Sequence, residues 1–319
     1  MREIRGYRRG PFRVMTAFSI RSVTGMAPRN VTIVVLWMAG ALLSFSAIAV
    51  AVRELSAGLS AFEMLAFRNA VGLVGILVVA ALVPRVRASL AARRLGRHAQ
   101  RNVVHFLGQY AWTVGITLLP LAVVFAVEFT APALTALLAV LLLGERLTRT
   151  RALAIGLGFL GVLVIVRPGA GDVGLPALVV LFAAFAFALT AIATKSLTRT
   201  ETTASILLWM NAMQLPLNLI GADDGYLARL LEAPLLPLAA LGIGGFTAHW
   251  CLTNAYRNGD AIMVVPLDFL RIPLIAIVGL VLYAEPLDPF VFVGAGVIVA
   301  GILINLRAET TRATRPRGA

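Results

Sequence analysis

Ten long apolar runs, joined by short connections, organise nearly the whole of this chain. They fall at about 31–52, 60–82, 102–119, 121–143, 150–166, 174–194, 203–221, 234–256, 261–283 and 289–306. A helix needs about 20 apolar residues to cross a hydrocarbon core of about 30 Å, and most of these runs meet that length. The run at 150–166, which opens on Thr150 and Arg151, is the weakest. Leu119-Pro120-Leu121 leaves room for only a tight turn between two spans. Proline suits the start of the later helix, because its missing N–H has no partner to lose there. Inside lipid every backbone polar group must be paired, so only helices or a closed barrel can span. The runs lack the apolar–polar alternation of barrel strands. The sequence therefore predicts an all-α polytopic membrane protein with ten transmembrane helices.

Composition agrees. Hydrophobic types make up 60% of the 319 residues and charged types 13%, against about 25% charged in a typical soluble domain. A soluble protein built this way would lack polar surface. Cys251 is the only cysteine, so an internal disulfide is excluded. His98, His105, His249 and Cys251 are too scattered for a metal-ligand spacing. No G-x-x-x-x-G-K-[ST] run is present, which argues against ATP-driven pumping by this chain alone. No cofactor, metal or enzymatic activity is expected.

The charge balance is +13. In a soluble domain that would suggest nucleic acid, but here the basic residues flank apolar runs. With the N-terminus placed inside, 23 basic residues fall inside and only Arg53, Arg167 and Arg229 fall outside. Arg68 and Arg271 lie within spans. This is a positive-inside pattern, with lipid and not nucleic acid as the partner. It predicts the bacterial cytoplasmic (inner) membrane, with both termini cytoplasmic. Residues 1–30 form an arginine-rich leader and 308–319 a short tail.

The two halves repeat at an offset of 140 residues. LLLGERL at 141–147 aligns with VLYAEPL at 281–287, which pairs Glu145 with Glu285. Gly156, Gly161 and Arg167 align with Gly296, Gly301 and Arg307, and Glu128 aligns with Asp268. At an offset of 142, Arg53 aligns with Lys195. The repeats are residues 31–169 and 170–307. Each holds five spans, an odd number, so the second enters the membrane from the opposite face. Inverted repeats of this kind supply two nearly equal arrangements, open to either side, although some channels contain them too.

Charges at membrane depth are costly and mark pathways or cavities. Glu63 lies near the outer end of the second span, where water is expected to reach it. Arg68 lies deeper. Glu128 and Asp268 stand at mirrored depths in the fourth and ninth spans. Arg271 follows Asp268 by three residues, on the same helix face. Pro132, Pro266 and Pro273 interrupt these same spans and free backbone carbonyls. Gln109, Tyr110 and Trp112 in the third span suit an amphipathic organic solute. So do His249, Trp250, Asn254, Tyr256 and Asn258 in or near the eighth. Asn211 and Gln214 in the seventh span are weaker candidates. The plainer alternatives are a structural charge network for the ionic groups and interfacial anchoring for the aromatic ones. Gly156, Gly158 and Gly161, with Gly294, Gly296 and Gly301, suit close helix packing or a homodimer contact.

Residues 120–169 resemble the first half of the drug/metabolite transporter superfamily, in its EamA-type branch. The resemblance is carried by Pro120-Leu121-Ala122, Pro132, Leu143-Gly144-Glu145-Arg146-Leu147, Gly156, Gly161-Val162 and Arg167-Pro168-Gly169. Residues 247–307 are similar to a more diverged copy, with Ala284-Glu285-Pro286-Leu287 in place of the Gly-Glu-Arg-Leu form. The resemblance implies ten helices, a central cavity lined by the first four helices of each half, and fifth and tenth helices that support assembly. It implies carriage of small organic solutes. The charges at Arg68, Glu128, Asp268 and Arg271 depart from the mostly neutral cavity of that family and favour a polar or zwitterionic solute. A membrane-embedded enzyme, a non-transporting scaffold and a channel are the rival readings. The first would need converging catalytic groups, and the last a filter or charge ring.

Overall fold

A computed structural model describes residues 31–143, 148–167, 174–197, 200–258, 267–268 and 270–314, and their regular structure is helical. In chain order the helices are α1 (Val31–Leu55), α2 (Ala61–Leu82), a short α3 (Pro84–Arg87) and α4 (Leu95–Leu118). Then come α5 (Leu121–Glu128), α6 (Ala131–Leu143), α7 (Arg149–Val166), α8 (Gly174–Leu197), α9 (Thr203–Ile220) and a short α10 (Tyr226–Glu232). The last are α11 (Leu235–Asn258), α12 (Arg271–Tyr283) and α13 (Pro289–Thr314). Glu145, Arg146 and Pro266, and the side chains of Lys195 and Tyr256, fall outside the described residues.

α1, α2, α8 and α11 contain apolar stretches of 24, 22, 21 and 18 residues, each long enough to cross a membrane. Leu121–Thr135, across α5 and the start of α6, and Ala152–Val166, Arg271–Tyr283 and Pro289–Ile304 are shorter apolar stretches. Leu36, Leu43, Val74, Leu82 and Ile220 point outward and are exposed. In water such a belt would be an aggregation surface; against acyl chains it is the matching face. The chain is an all-α, multi-pass membrane protein.

Local signals set several boundaries. Ser60 caps α2: its hydroxyl accepts from the Glu63 amide while the Glu63 carboxylate accepts from the Ser60 amide, a reciprocal capping box. Pro120 stands immediately before α5, as the tight turn required. The fourth span, expected as one helix over 121–143, is instead broken between α5 and α6 at Phe129–Thr130. Pro132 has no N–H to give the Glu128 carbonyl, and Thr130 turns inward on Val127, with both its amide and its hydroxyl bonded to that carbonyl.

The helices pack in definite pairs: α1 against α11, α4 against α8, α2 against α9 and α7 against α13. Across α7 and α13 the backbones nearly touch. A Cβ at Gly161 would lie 2.6 Å from the Gly294 carbonyl, and one at Gly294 would lie 2.6 Å from the Gly161 carbonyl. Gly156 and Gly296 face open space.

One end of the bundle is tied by ion pairs. Arg53 meets Glu285 at 2.9 Å, Arg167 meets Asp288, and Arg229 meets Glu63. These are the three arginines that the sequence assigns to the outer side. Glu63 does not meet water as expected: it is 1% exposed, because the α9–α11 connection folds Arg229 over it.

Candidate functional site

Two of the polar clusters in the interior hold the residues that the sequence singles out; a further one, of His98, Arg101, Asn102 and Glu201, lies toward the arginine-rich end. The first surrounds Arg68 of α2, which is 9% exposed. Glycine makes room for it, since a Cβ at Gly245 of α11 would sit 2.8 Å from the Arg68 Cγ. The guanidinium reaches His249 of α11, with Nη2 and Nε2 3.4 Å apart. With the Gln109 amide oriented by its hydrogen-bond network, its oxygen accepts from Arg68 Nη1 and Nη2 at 3.2 and 2.7 Å. Its nitrogen then donates to Gln214 Oε1 at 2.9 Å. Gln214 also meets His105 Nδ1 at 3.0 Å. Asn211 lies one helical turn away, packed into the space left by Gly72, and donates to the Leu207 carbonyl at 2.9 Å. A pocket between α2, α9 and α11 is lined by Arg68, Gly72, Leu207, Asn211, Phe246 and His249, among others.

The spacing explains the convergence. His105, Gln109 and Trp112 are four and three residues apart and share one face of α4. Asn211 and Gln214 do the same on α9. Arg68, Gln109, Gln214 and His105 are each held by a neighbour on another helix, whereas Asn211 is tied to its own.

The second cluster surrounds Arg271, at the start of α12 and 4% exposed. It donates to both oxygens of Asp268 at 2.6 Å and stands 3.6 Å from Glu128. Glu128 also accepts from the Trp112 indole at 2.7 Å. The guanidinium lies 4.3, 5.5 and 5.1 Å from the ring centres of Phe45, Phe125 and Phe129, within cation–π range. Two carboxylates thus share one guanidinium inside an aromatic cage. Phe45 joins the clusters, because its ring also meets His249 edge-on at 5.9 Å.

The structure therefore brings Arg68, Gln109, Asn211 and His249 together, and Trp112, Glu128, Asp268 and Arg271 together, as two centres where the sequence suggested one. Tyr110 joins neither: it stacks on Phe62 at 4.5 Å. Trp250 stands aside too, 40% exposed and stacked on Phe246 at 5.8 Å. His105, Gln214 and Phe45 are additional members of the site. His105 could have been read from its place four residues before Gln109; Phe45 carries no polar signal at all.

The comparisons agree with this architecture. Residues 32–167 and 174–307 each match the model of the EamA-like transporter family. A riboflavin transporter of Rhizobium johnstonii is 31% identical over 233 residues, covering 72% of this chain and 77% of its own. An S-adenosylmethionine uptake transporter of Rickettsia bellii is 27% identical over 274 residues, covering 86% of this chain and 93% of its own. One solved structure, described only as a crystal structure of a protein, has a TM-score of 0.56 at 17% identity, covering 89% of this chain and 99% of its own. That last likeness concerns the fold alone.

Proposed function

The chain belongs to the EamA-like transporter family, and from that premise we propose that it carries a small amphipathic organic solute across the cytoplasmic membrane by alternating access. It is a carrier, not an enzyme: the solute crosses unchanged. The observation that carries this reading is the Arg68 cluster. A buried guanidinium, two amides and an imidazole converge from α2, α4, α9 and α11 around a narrow pocket of about 10 Å³. Such groups are costly at membrane depth even when paired with one another, and they commonly mark a solute pathway.

The helix pairing supports ten spans in two inverted repeats. If α5 and α6 together form the fourth span, exchange of the halves turns the α1–α11 pair into the α8–α4 pair. The same exchange maps the α2–α9 and α7–α13 pairs onto themselves. All four pairs are prominent in the packing. The ion-paired end is then the outer one, and the arginine-rich end with Arg85, Arg87, Arg93 and Arg94 is cytoplasmic.

The relatives narrow the solute. Riboflavin and S-adenosylmethionine, which two of them are named for, both join a flat nitrogen heterocycle to a hydroxylated chain or sugar. The cluster offers matching chemistry: Phe246 on the pocket wall for a ring, and Arg68, Gln109, Asn211 and His249 for hydroxyl and carbonyl groups. The Arg271 centre, with one more acid than base, is suited to coupling, because a proton or cation can satisfy its surplus charge. A homodimer would use the outer faces of α7 and α13, where Gly156 and Gly296 are open.

Purified protein in proteoliposomes tests this. Labelled riboflavin or S-adenosylmethionine should enter saturably, and unlabelled solute on the far side should speed its movement. Chemical conversion of the solute without movement would overturn the proposal.

A further inference from the structure

A second cavity, of about 220 Å³, opens at the arginine-rich end between α2, α9 and α11. Ile76 and Leu207 form part of its apolar wall, and Arg85, Thr203, Trp250 and Asn254 supply polar groups. Leu207 also lines the deep pocket. Phe246 of the deep pocket stacks on Trp250 of this one, at 5.8 Å and 22°. One aliphatic side chain and one aromatic stack therefore connect the two spaces.

Two residues stand out here. Trp250 belongs to a helix that packs on α1 and α2, yet it leaves 40% of its surface open. Arg85 follows Pro84, which begins α3 after the extended Val83 and turns the chain across the end of α2. Among the described residues Arg85 makes no ion pair or hydrogen bond. An exposed guanidinium without an ion-pair partner and an open indole face thus line a space large enough for a ring.

We propose that this cavity is a second solute subsite, which takes an anionic group against Arg85 and a flat ring against Trp250. The ligand class is an aromatic or heteroaromatic compound that carries a phosphate or carboxylate. The subsite rests on the transport reading, as the place where a solute meets the carrier on the cytoplasmic side before or after the Arg68 pocket. A lipid phosphate offers the same anion without the ring, so the test must separate the two sources.

The four tryptophans are replaced by 5-fluorotryptophan, and Trp250→Phe assigns the Trp250 fluorine resonance. The protein is held in nanodiscs of zwitterionic phosphatidylcholine, and the probes are phenyl phosphate, phenol and inorganic phosphate. Phenyl phosphate should shift the Trp250 resonance saturably, at lower concentration than either half-probe. Arg85→Gln should raise its half-saturating concentration about tenfold, the worth of one charge-assisted contact, while Arg85→Lys retains most of the response. Absence of a shift with phenyl phosphate, or a shift unaltered in Arg85→Gln, would overturn the subsite. If added phosphatidylglycerol itself moves the Trp250 resonance and abolishes the phenyl phosphate response, the site belongs to lipid and the solute assignment is wrong. No effect of phosphatidylglycerol supports it. Arg68→Gln should stop transport and leave the Trp250 shift intact. Failure of transport in the unaltered protein with the shift present would sink the transport reading alone.

Discussion

Arg53 at the end of α1 is bonded to Glu285 beyond the end of α12, with Nη1 and Oε1 2.9 Å apart across 232 residues of sequence. Each partner has further bonds. Arg53 also donates to the carbonyls of Ile116 and Leu119 at 2.8 and 2.6 Å. Glu285 also accepts from the Leu121 amide at 2.9 Å, at the N-terminus of α5, where an anion is favoured. The pair thus fastens α1, the end of α4, the start of α5 and the α12–α13 connection together. Glu285→Ala should cost about 2–3 kcal/mol of stability, since it takes the counter-charge from Arg53 and leaves the Leu121 amide without its acceptor. Glu285→Gln keeps an acceptor and should cost about 1 kcal/mol. The exchange Arg53→Glu with Glu285→Arg should not restore stability, because neither new side chain can meet the backbone partners of the old one. Unfolding in detergent, followed for the three variants and the unaltered protein, measures this. Full recovery in the exchange would mean that the ion pair alone matters.

Arg68 depends on Gly245 for its position as much as on its own charge. Gly245→Val would place branched carbon where the Arg68 stem now runs. It should move the guanidinium away from Gln109 and His249 without removing it. Solute affinity should fall about tenfold or more in Gly245→Val and in Arg68→Lys alike, since a lysine cannot make the forked contact to Gln109. Equilibrium binding of labelled riboflavin or S-adenosylmethionine reads the change, with unfolding temperature as the control. Unchanged affinity in both variants would move the solute site away from this cluster.

The helical, multi-pass character was legible because lipid demands length and apolarity, which a linear sequence records directly. Part of the site was legible from spacing: Gln109 and Trp112 lie three residues apart on one face of α4. Their neighbours were harder. Tyr110 follows Gln109 in sequence but sits about 100° further round the helix, so it turns toward Phe62 and away from Arg68. Trp250 parts from His249 in the same way. His105 repeats the position of Gln109 one turn earlier, a signal available in the spacing. Phe45 gives no contrast in an apolar run, although it joins the two clusters. Glu63 and Arg229 are 166 residues apart, and nothing local announces their pairing. Which charges share a centre depends on how helices rotate against one another, and that is settled by packing across the bundle.

Arg271 faces two acids, Asp268 and Glu128, and the loss of each partner has a different consequence. Arg271→Met would leave two carboxylates near each other within the bundle, without their cation. It should destabilise the protein by about 3–5 kcal/mol, the usual result of breaking a buried ion pair from one side. Glu128→Gln leaves the Asp268–Arg271 pair balanced, and the new amide oxygen can still accept from the Trp112 indole. Its cost should stay within about 1 kcal/mol. If the surplus acid serves coupling, Glu128→Gln should also remove the dependence of solute uptake on an imposed proton gradient while exchange of solute for solute continues. Thermal unfolding with paired uptake and exchange assays tests both statements. A folded, proton-dependent Glu128→Gln carrier would assign the surplus charge a structural role only.

Ala284 ends α12 in the left-handed region, at φ 51°. The Glu285 amide closes this turn by donating to the Gly279 carbonyl at 3.1 Å. The conformation strains any residue with a Cβ and suits glycine. The repeat supplies glycine at the matching position, where Gly144 precedes Glu145 as Ala284 precedes Glu285. Ala284→Gly should therefore raise stability by about 0.5–1 kcal/mol, the relief of strain exceeding the added freedom of the unfolded chain. Ala284→Val should lower it by more than that, because branching at Cβ worsens the same clash. The backbone hydrogen bond to Gly279 and the Arg53–Glu285 pair are available in both variants, so the difference isolates backbone strain. Unfolding temperature in detergent gives the sign directly. A less stable Ala284→Gly would mean that the end of α12 does not adopt the left-handed turn that aims Glu285 at α5.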